Sequence, residues 1–460
     1  MEKIKNGYSS GFIAAIAALC LLSYELFFTF CALIGYTYPG SNSSPIFKIY
    51  AGVLFLIAIM IFLKNNSKLS LNFCLILQER ILILPFLICG AYIFSVIDRG
   101  SINKTAELYI LYYLVFSLPA LIMGILIGRL SLIDYFIKII DLFVFIASIA
   151  IFKSYIFGYL FGHRFSNFGG VDYQSASYIS AIFFGLNLYF VLFLKEGRYK
   201  YFRILMGTIL FLGVLIPEGR GGFLLMILYI IFFVISYIYL GVKKINPKKN
   251  SYIFLAIIFI APILAVGFNK LDNSGRGLKR ALEYLEYNDH HKSEAKPTPP
   301  HNDSDAGDKG KLEEGDVKIL DAANAINAPI HPWLKMTGIN WSGTSNRGAL
   351  YSNTIRLIIE RPFFGYGLFG FWDISGYPHN IELEIFLQGG IFYFSLAVIF
   401  FFYFAKNLYK LISLDSKNLI ILIIFMLPLV RLHVSGTYIS EASLWFCIGL
   451  AFSRPDLGRS

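Results

Sequence analysis

Arginine and histidine recur in this sequence at polar corners between apolar runs, each time beside glycine or asparagine. The corner Pro217-Glu218-Gly219-Arg220-Gly221-Gly222 separates two such runs. So short a turn holds the Arg220 guanidinium at the start of a helix, where N–H groups and the helix dipole also favour an anion. The flanking glycines leave room for a ligand, and Glu218 is placed to orient the guanidinium. The plain alternative is an arginine that snorkels to lipid phosphates. A second corner, Tyr377-Pro378-His379-Asn380, is followed by Glu382, Glu384 and Gly389-Gly390. A helix starting near His379 puts positions 379, 382 and 386 on one face, so that His379 and Glu382 interact. A histidine there titrates near working pH and can take a proton from a hydroxyl; the alternative is a His379-Asn380 pair that merely caps the helix. Arg164, in Gly162-His163-Arg164-Phe165-Ser166-Asn167, and Arg347, in Ser345-Asn346-Arg347-Gly348, stand at two further corners. The planar guanidinium fork suits phosphate because it meets two oxygens at once, although either arginine can instead pair with a loop carboxylate.

Other chemistries find no footing. All five cysteines (Cys20, Cys31, Cys74, Cys89 and Cys447) fall inside apolar runs without metal-like spacing to a histidine, as thiols that pack as small hydrophobes do. The stretch from Asp303 to Glu314 has acidic spacing reminiscent of a calcium loop but carries Asp308 where the turn glycine belongs. No P-loop, dinucleotide fingerprint or HExxH is present, so neither metal nor cofactor is expected.

The elements that must position these corners are membrane helices. Of 460 residues 57% are hydrophobic and 15% charged, and 45 Phe with 30 Tyr cannot be hidden in one aqueous core. The mean hydropathy is +0.63, outside the soluble range. Apolar runs long enough to cross the bilayer as helix begin near residues 11, 46, 81, 107, 133, 174, 202, 220, 251, 380, 417 and 436. The expected fold is all-α, a polytopic membrane protein of about twelve spans. The weakest are the seventh, which Pro217 stops, and the last two, split by the corner around Gly436.

The formal charge of +11 does not call for nucleic acid once it is divided by segment. Residues 269–379 hold 13 Lys/Arg against 14 Asp/Glu, so the basic excess lies in the short connections. With the N-terminus inside, cytoplasmic segments carry 19 cations and short external ones seven, as the positive-inside rule requires. Both termini are then cytoplasmic, and Lys3 and Lys5 precede a retained signal anchor. The chain divides into spans 1–9 (residues 1–268), a large external loop (269–379) and spans 10–12 (380–460). Within the loop, residues 288–332 contain no Phe, Trp or Tyr; 288–328 is expected to be a mobile polar insertion. By contrast 333–379 is aromatic, with a short helix ended by Pro362 and a Gly-rich turn.

In this order and on this topology, the corners resemble the bacterial O-antigen ligase and polymerase superfamily. Glu218-Gly219-Arg220-Gly221-Gly222-Phe223-Leu224 is similar to that family's Ser-Arg-Gly corner, with Gly219 where Ser is usual. His379-Asn380, nine residues, Gly390, two residues and Tyr393 fits the ligase-associated pattern. Arg347 through Arg361-Pro362-Phe363-Phe364-Gly365-Tyr366-Gly367 resembles the stretch before it, and Arg164 resembles a basic position ahead of the arginine corner. The resemblance covers residues 160–455.

The resemblance implies an inner-membrane glycosyltransferase with its site on the periplasmic face. Its donor would be a glycan on undecaprenyl pyrophosphate and its acceptor a hydroxyl of the lipid A core (ligase) or of a second lipid-linked glycan (polymerase); the nine-residue spacing favours ligase. Arg220, with Arg164 or Arg347, would hold the pyrophosphate, and His379 would act as base or as a phosphate partner, with Asn380 and Glu382 beside it. A flippase for lipid-linked sugars is the competing class. It predicts charges along a path to the cytoplasmic face, whereas mid-run acids such as Glu25 and Asp141 are few.

Overall fold

The protein is described by a computed structural model covering residues 8–37, 45–65, 104–157, 168–193, 199–217, 219–242, 347–375, 377–434 and 436–453, with five further residues between 256 and 264. It is all-helical, with no strand among the described residues. In chain order the helices are α1 (Ser10–Leu21), α2 (Ser23–Ile34), α3 (Pro45–Asn65), α4 (Lys104–Tyr112), α5 (Leu118–Arg129), α6 (Ile133–Ile151), α7 (Tyr173–Leu192), α8 (Tyr199–Leu215), α9 (Arg220–Val242), α10 (Arg347–Glu360), α11 (Ile381–Leu414), α12 (Leu419–Val434) and α13 (Ala442–Phe452). A π-helical stretch, Tyr113–Ser117, joins α4 to α5.

Seven helices among the described residues are long and apolar enough to cross a membrane, or eight if the bent pair α1 and α2 is one span. The described residues thus account for seven or eight of the twelve expected spans. The run near 81 lies outside the described residues and that near 251 almost wholly so. The run near 202 becomes α8, 17 residues that end just before Pro217, at the lower limit of the length a span needs, and the run near 436 yields α13 with only 11, well below it. The run near 11 bends by 93° between Leu21 and Ser23. The 288–328 insertion falls outside the described residues.

The centre of the bundle is α7, 94% buried over its apolar window, which packs on α6, α8, α9 and α12. Lipid tails are as apolar as the helices, so close packing rather than water exclusion holds such a bundle together, and small residues mark the tightest approaches. A Cβ on Gly124 of α5 would lie 2.3 Å from the Phe446 carbonyl, and one on Gly449 of α13 would lie 2.3 Å from the Leu121 carbonyl. The polar contacts sort to two ends. At one, Lys417 meets Asp134 at 2.8 Å, Tyr189 donates to the Lys417 carbonyl, and Arg203 meets Asp141 at 2.5 Å. The other end collects the starts of α7, α9 and α11 and the turn between α12 and α13.

Candidate functional site

The arginine corner is built by glycine. The first residue of α9 is Arg220, exposed, and the three glycines around it let α9 start directly against α7. A Cβ on Gly222 would come within 2.6 Å of the Ser177 backbone, and one on Gly221 within 1.9 Å of the Tyr178 hydroxyl. The Ser177 hydroxyl reaches the Gly219 carbonyl at 3.1 Å and fixes the corner from below. Glu218 lies outside the described residues, as does Arg164. Arg347 is the first residue of α10; its side chain is outside the described set.

The histidine corner differs from expectation. Helix α11 starts at Ile381, not at His379: the Asn380 side chain accepts from the Leu383 N–H at 3.0 Å and caps it, as asparagine commonly does. His379 stands before the cap in a left-handed conformation (φ +53°), so the helical spacing that would pair it with Glu382 does not apply. Glu382 instead meets His433 of α12, Oε1 to Nε2 at 2.8 Å, while His433 Nδ1 lies 2.6 Å from the Leu429 carbonyl. The ring beside His379 is Tyr377, edge-on with centroids 5.1 Å apart.

Behind Tyr377 runs a buried polar network that sequence reasoning did not assemble. The Tyr377 hydroxyl is shared between Glu384, 2.9 Å away, and the Gly436 carbonyl. Glu384, fully buried, also accepts from Thr437 at 2.5 Å and from Gln388 at 3.1 Å. Tyr438 donates to Gln388 at 2.5 Å and meets Tyr393 at 3.1 Å. Burial and the Glu384 carboxyl push the Tyr377 phenol well above the usual tyrosine range, so it serves as a neutral hydroxyl. The Gly-x-Gly turn braces the same helix. Gly390 breaks α11 (φ +61°), and the turn supplies partners for the opened backbone: Tyr366 N–H to Leu387 O at 2.7 Å, Gly367 N–H to Gln388 O at 2.9 Å and Ile391 N–H to Pro362 O at 2.8 Å. This is why glycines sit at 365, 367 and 390.

A cavity of 390 Å³ opens at the same end, walled by Tyr24, Tyr109, Tyr112, Gln174, Tyr178 and Thr437 among others. On its wall Arg431, its side chain 15% exposed, lies 2.8 Å from Glu25 and 3.6 Å from Glu441. Its guanidinium faces the rings of Tyr24 at 5.8 Å and Tyr178 at 5.3 Å. Contacts run unbroken from one corner to the other: Gly221 against Tyr178, Tyr178 to Arg431, the Arg431 carbonyl to the Gly436 N–H, Gly436 to Tyr377, and Tyr377 to His379. Among the described residues no group of His, Cys, Asp and Glu is placed to hold a metal.

Residues 204–398 match the family model described as O-antigen ligase. This segment belongs to the O-antigen ligase and polymerase superfamily. No curated protein and no solved structure matches the chain. Over this segment the family is that of glycosyltransferases of the ligase or polymerase type, and the seven or eight long apolar helices fit a multi-pass membrane protein. The O-antigen ligase segment runs from within α8 to within α11 and so contains the Arg220 corner, α10 with Arg347, the Gly-x-Gly turn and the His379 corner. It excludes Arg164, Arg431, Glu25 and Glu441. Sequence reasoning missed this second set because Arg431 reads as a loop charge and Glu25 as an isolated acid in an apolar run; a charge inside an apolar run was the available signal.

Proposed function

We propose that the protein is an O-antigen ligase: it transfers a glycan from undecaprenyl pyrophosphate to a hydroxyl of the lipid A core on the periplasmic side of the bacterial inner membrane. In this reading Arg220, assisted by Arg164 and Arg347, holds the pyrophosphate and stabilises the charge it gains as it leaves. The acceptor oxygen attacks the anomeric carbon, the bond from that carbon to the phosphate oxygen breaks, and the electron pair departs with the pyrophosphate. His379 takes the proton of the acceptor hydroxyl. Tyr377 and Asn380 fix the segment that carries His379. Glu382, in its pair with His433, lines the mouth of an apolar cavity of 380 Å³ between α11 and α12, a surface suited to the lipid chain. Both termini are cytoplasmic in this topology.

The observation that carries the reading is the exposed Arg220 at the first residue of α9, joined by continuous contacts to the His379 corner. In a strain lacking the protein, a lipopolysaccharide core bare of O-chain supports ligase; a core bearing a single repeat would instead make the protein a polymerase. Purified protein that moves lipid-linked glycan across vesicles without forming a product would make it a carrier.

A further inference from the structure

The Arg431 cavity is not part of the O-antigen ligase segment and has a different chemistry from the arginine corner. Its acidic and basic lining comprises Glu25, Asp172, Glu441 and Arg431, three carboxyl groups against one guanidinium, and that guanidinium is already committed to Glu25 and Glu441. A pyrophosphate entering here would face carboxyl groups with which it cannot pair. Sugar hydroxyls would not, because they donate to carboxylates and tyrosine faces take the C–H side of a ring. Burial also holds the Glu441 carboxyl above its ordinary range, opposed by the Arg431 charge.

Glu25 is 3% exposed, and its Oε1 lies 2.8 Å from the Arg431 guanidinium. Glu25 is placed there by the 93° bend between α1 and α2, at the cavity wall. On the same cavity wall Gln174, whose amide N–H reaches the Tyr173 hydroxyl at 3.3 Å, offers a carbonyl acceptor, and Tyr24, Tyr109 and Tyr112 supply flat apolar faces. The volume, 390 Å³, falls within the range of small-molecule sites.

We infer that this cavity binds the sugar end of the acceptor, with Glu25 and Gln174 taking hydroxyls, while the donor pyrophosphate stays on the far side of Tyr178 at Arg220. The inference rests on the transferase reading and adds where the acceptor sits and what chemistry it presents: an uncharged, hydroxyl-rich ring.

The test uses the full chain in lipid nanodiscs and two variants, Gln174→Ala and Glu25→Gln; the first lies at the cavity edge and leaves the buried ion pairs intact. Transfer is measured against varied acceptor and varied donor, and binding of N-acetylglucosamine and of inorganic pyrophosphate is followed separately by ligand-observed NMR. Losing the neutral hydrogen bond of Gln174, or the charge behind the one to Glu25, should raise the acceptor KM up to about tenfold with the donor KM unchanged, and weaken N-acetylglucosamine binding but not pyrophosphate binding. A donor KM that rises instead, pyrophosphate binding lost in either variant, or no change in the acceptor KM and sugar binding would overturn the inference. If the wild-type protein binds the sugar through Glu25 and Gln174 yet transfers nothing, the cavity stands as a saccharide site and the transferase reading falls.

Discussion

Tyr377 joins His379 to Glu384: its ring lies 5.1 Å from the imidazole and its hydroxyl 2.9 Å from the buried carboxyl. The histidine that sequence spacing would have paired with Glu382 is thus set by an aromatic neighbour, which is itself held by a glutamate one helical turn inside α11. Tyr377→Phe should leave the protein folded and lower kcat by about tenfold, the effect of losing one hydrogen bond that positions a group, with little change in KM. Steady-state transfer rates beside a melting curve in detergent check this.

Glu384→Ala should be worse for stability than for any single contact. It strips partners from Tyr377, Thr437 and Gln388 at once, and each buried polar group left unsatisfied costs about 1–3 kcal/mol. A clear fall in melting temperature is expected, with Glu384→Gln intermediate.

The glycine at the break in α11 is a position of backbone necessity. Gly390 has φ +61°, and a Cβ there would stand 2.3 Å from the Phe363 carbonyl. Gly390→Ala should therefore destabilise by more than the ~1–3 kcal/mol of left-handed strain alone, measured as loss of monodisperse protein on heating. Gly52→Ala, where nothing lies within 4 Å, is the control and should be neutral.

How much of this was legible in the sequence depends on distance along the chain. The helical class, the arginine corner, the Asn380 cap and the short helix before Pro362 follow from local pattern. The chemistry of Glu382 did not, because its partner His433 is 51 residues away and helical spacing suggested the nearer His379. The Glu25–Arg431 pair spans nearly the whole chain, and neither residue carries a local motif. Apolar length alone does not reveal a helix that bends, as at Leu22, whereas the early stop at Leu215 is announced by Pro217.

That long-range pair carries its own prediction. Breaking a buried ion pair strands the other charge, at about 3–5 kcal/mol, so Arg431→Met and Glu25→Gln should each lower thermal stability. Because the two residues touch, the double variant should lose less than the sum of the singles. Additive losses would mean that the two groups act independently.

The central claim is that the Arg220 and His379 corners form one transfer site. Its most direct measurement is glycan transfer by purified protein from an undecaprenyl-pyrophosphate donor to a lipid A core acceptor, comparing wild type with Arg220→Ala and His379→Ala inserted in membranes at equal levels. The account predicts product from the wild type and essentially none from either variant. Product at the wild-type rate from both variants would contradict it.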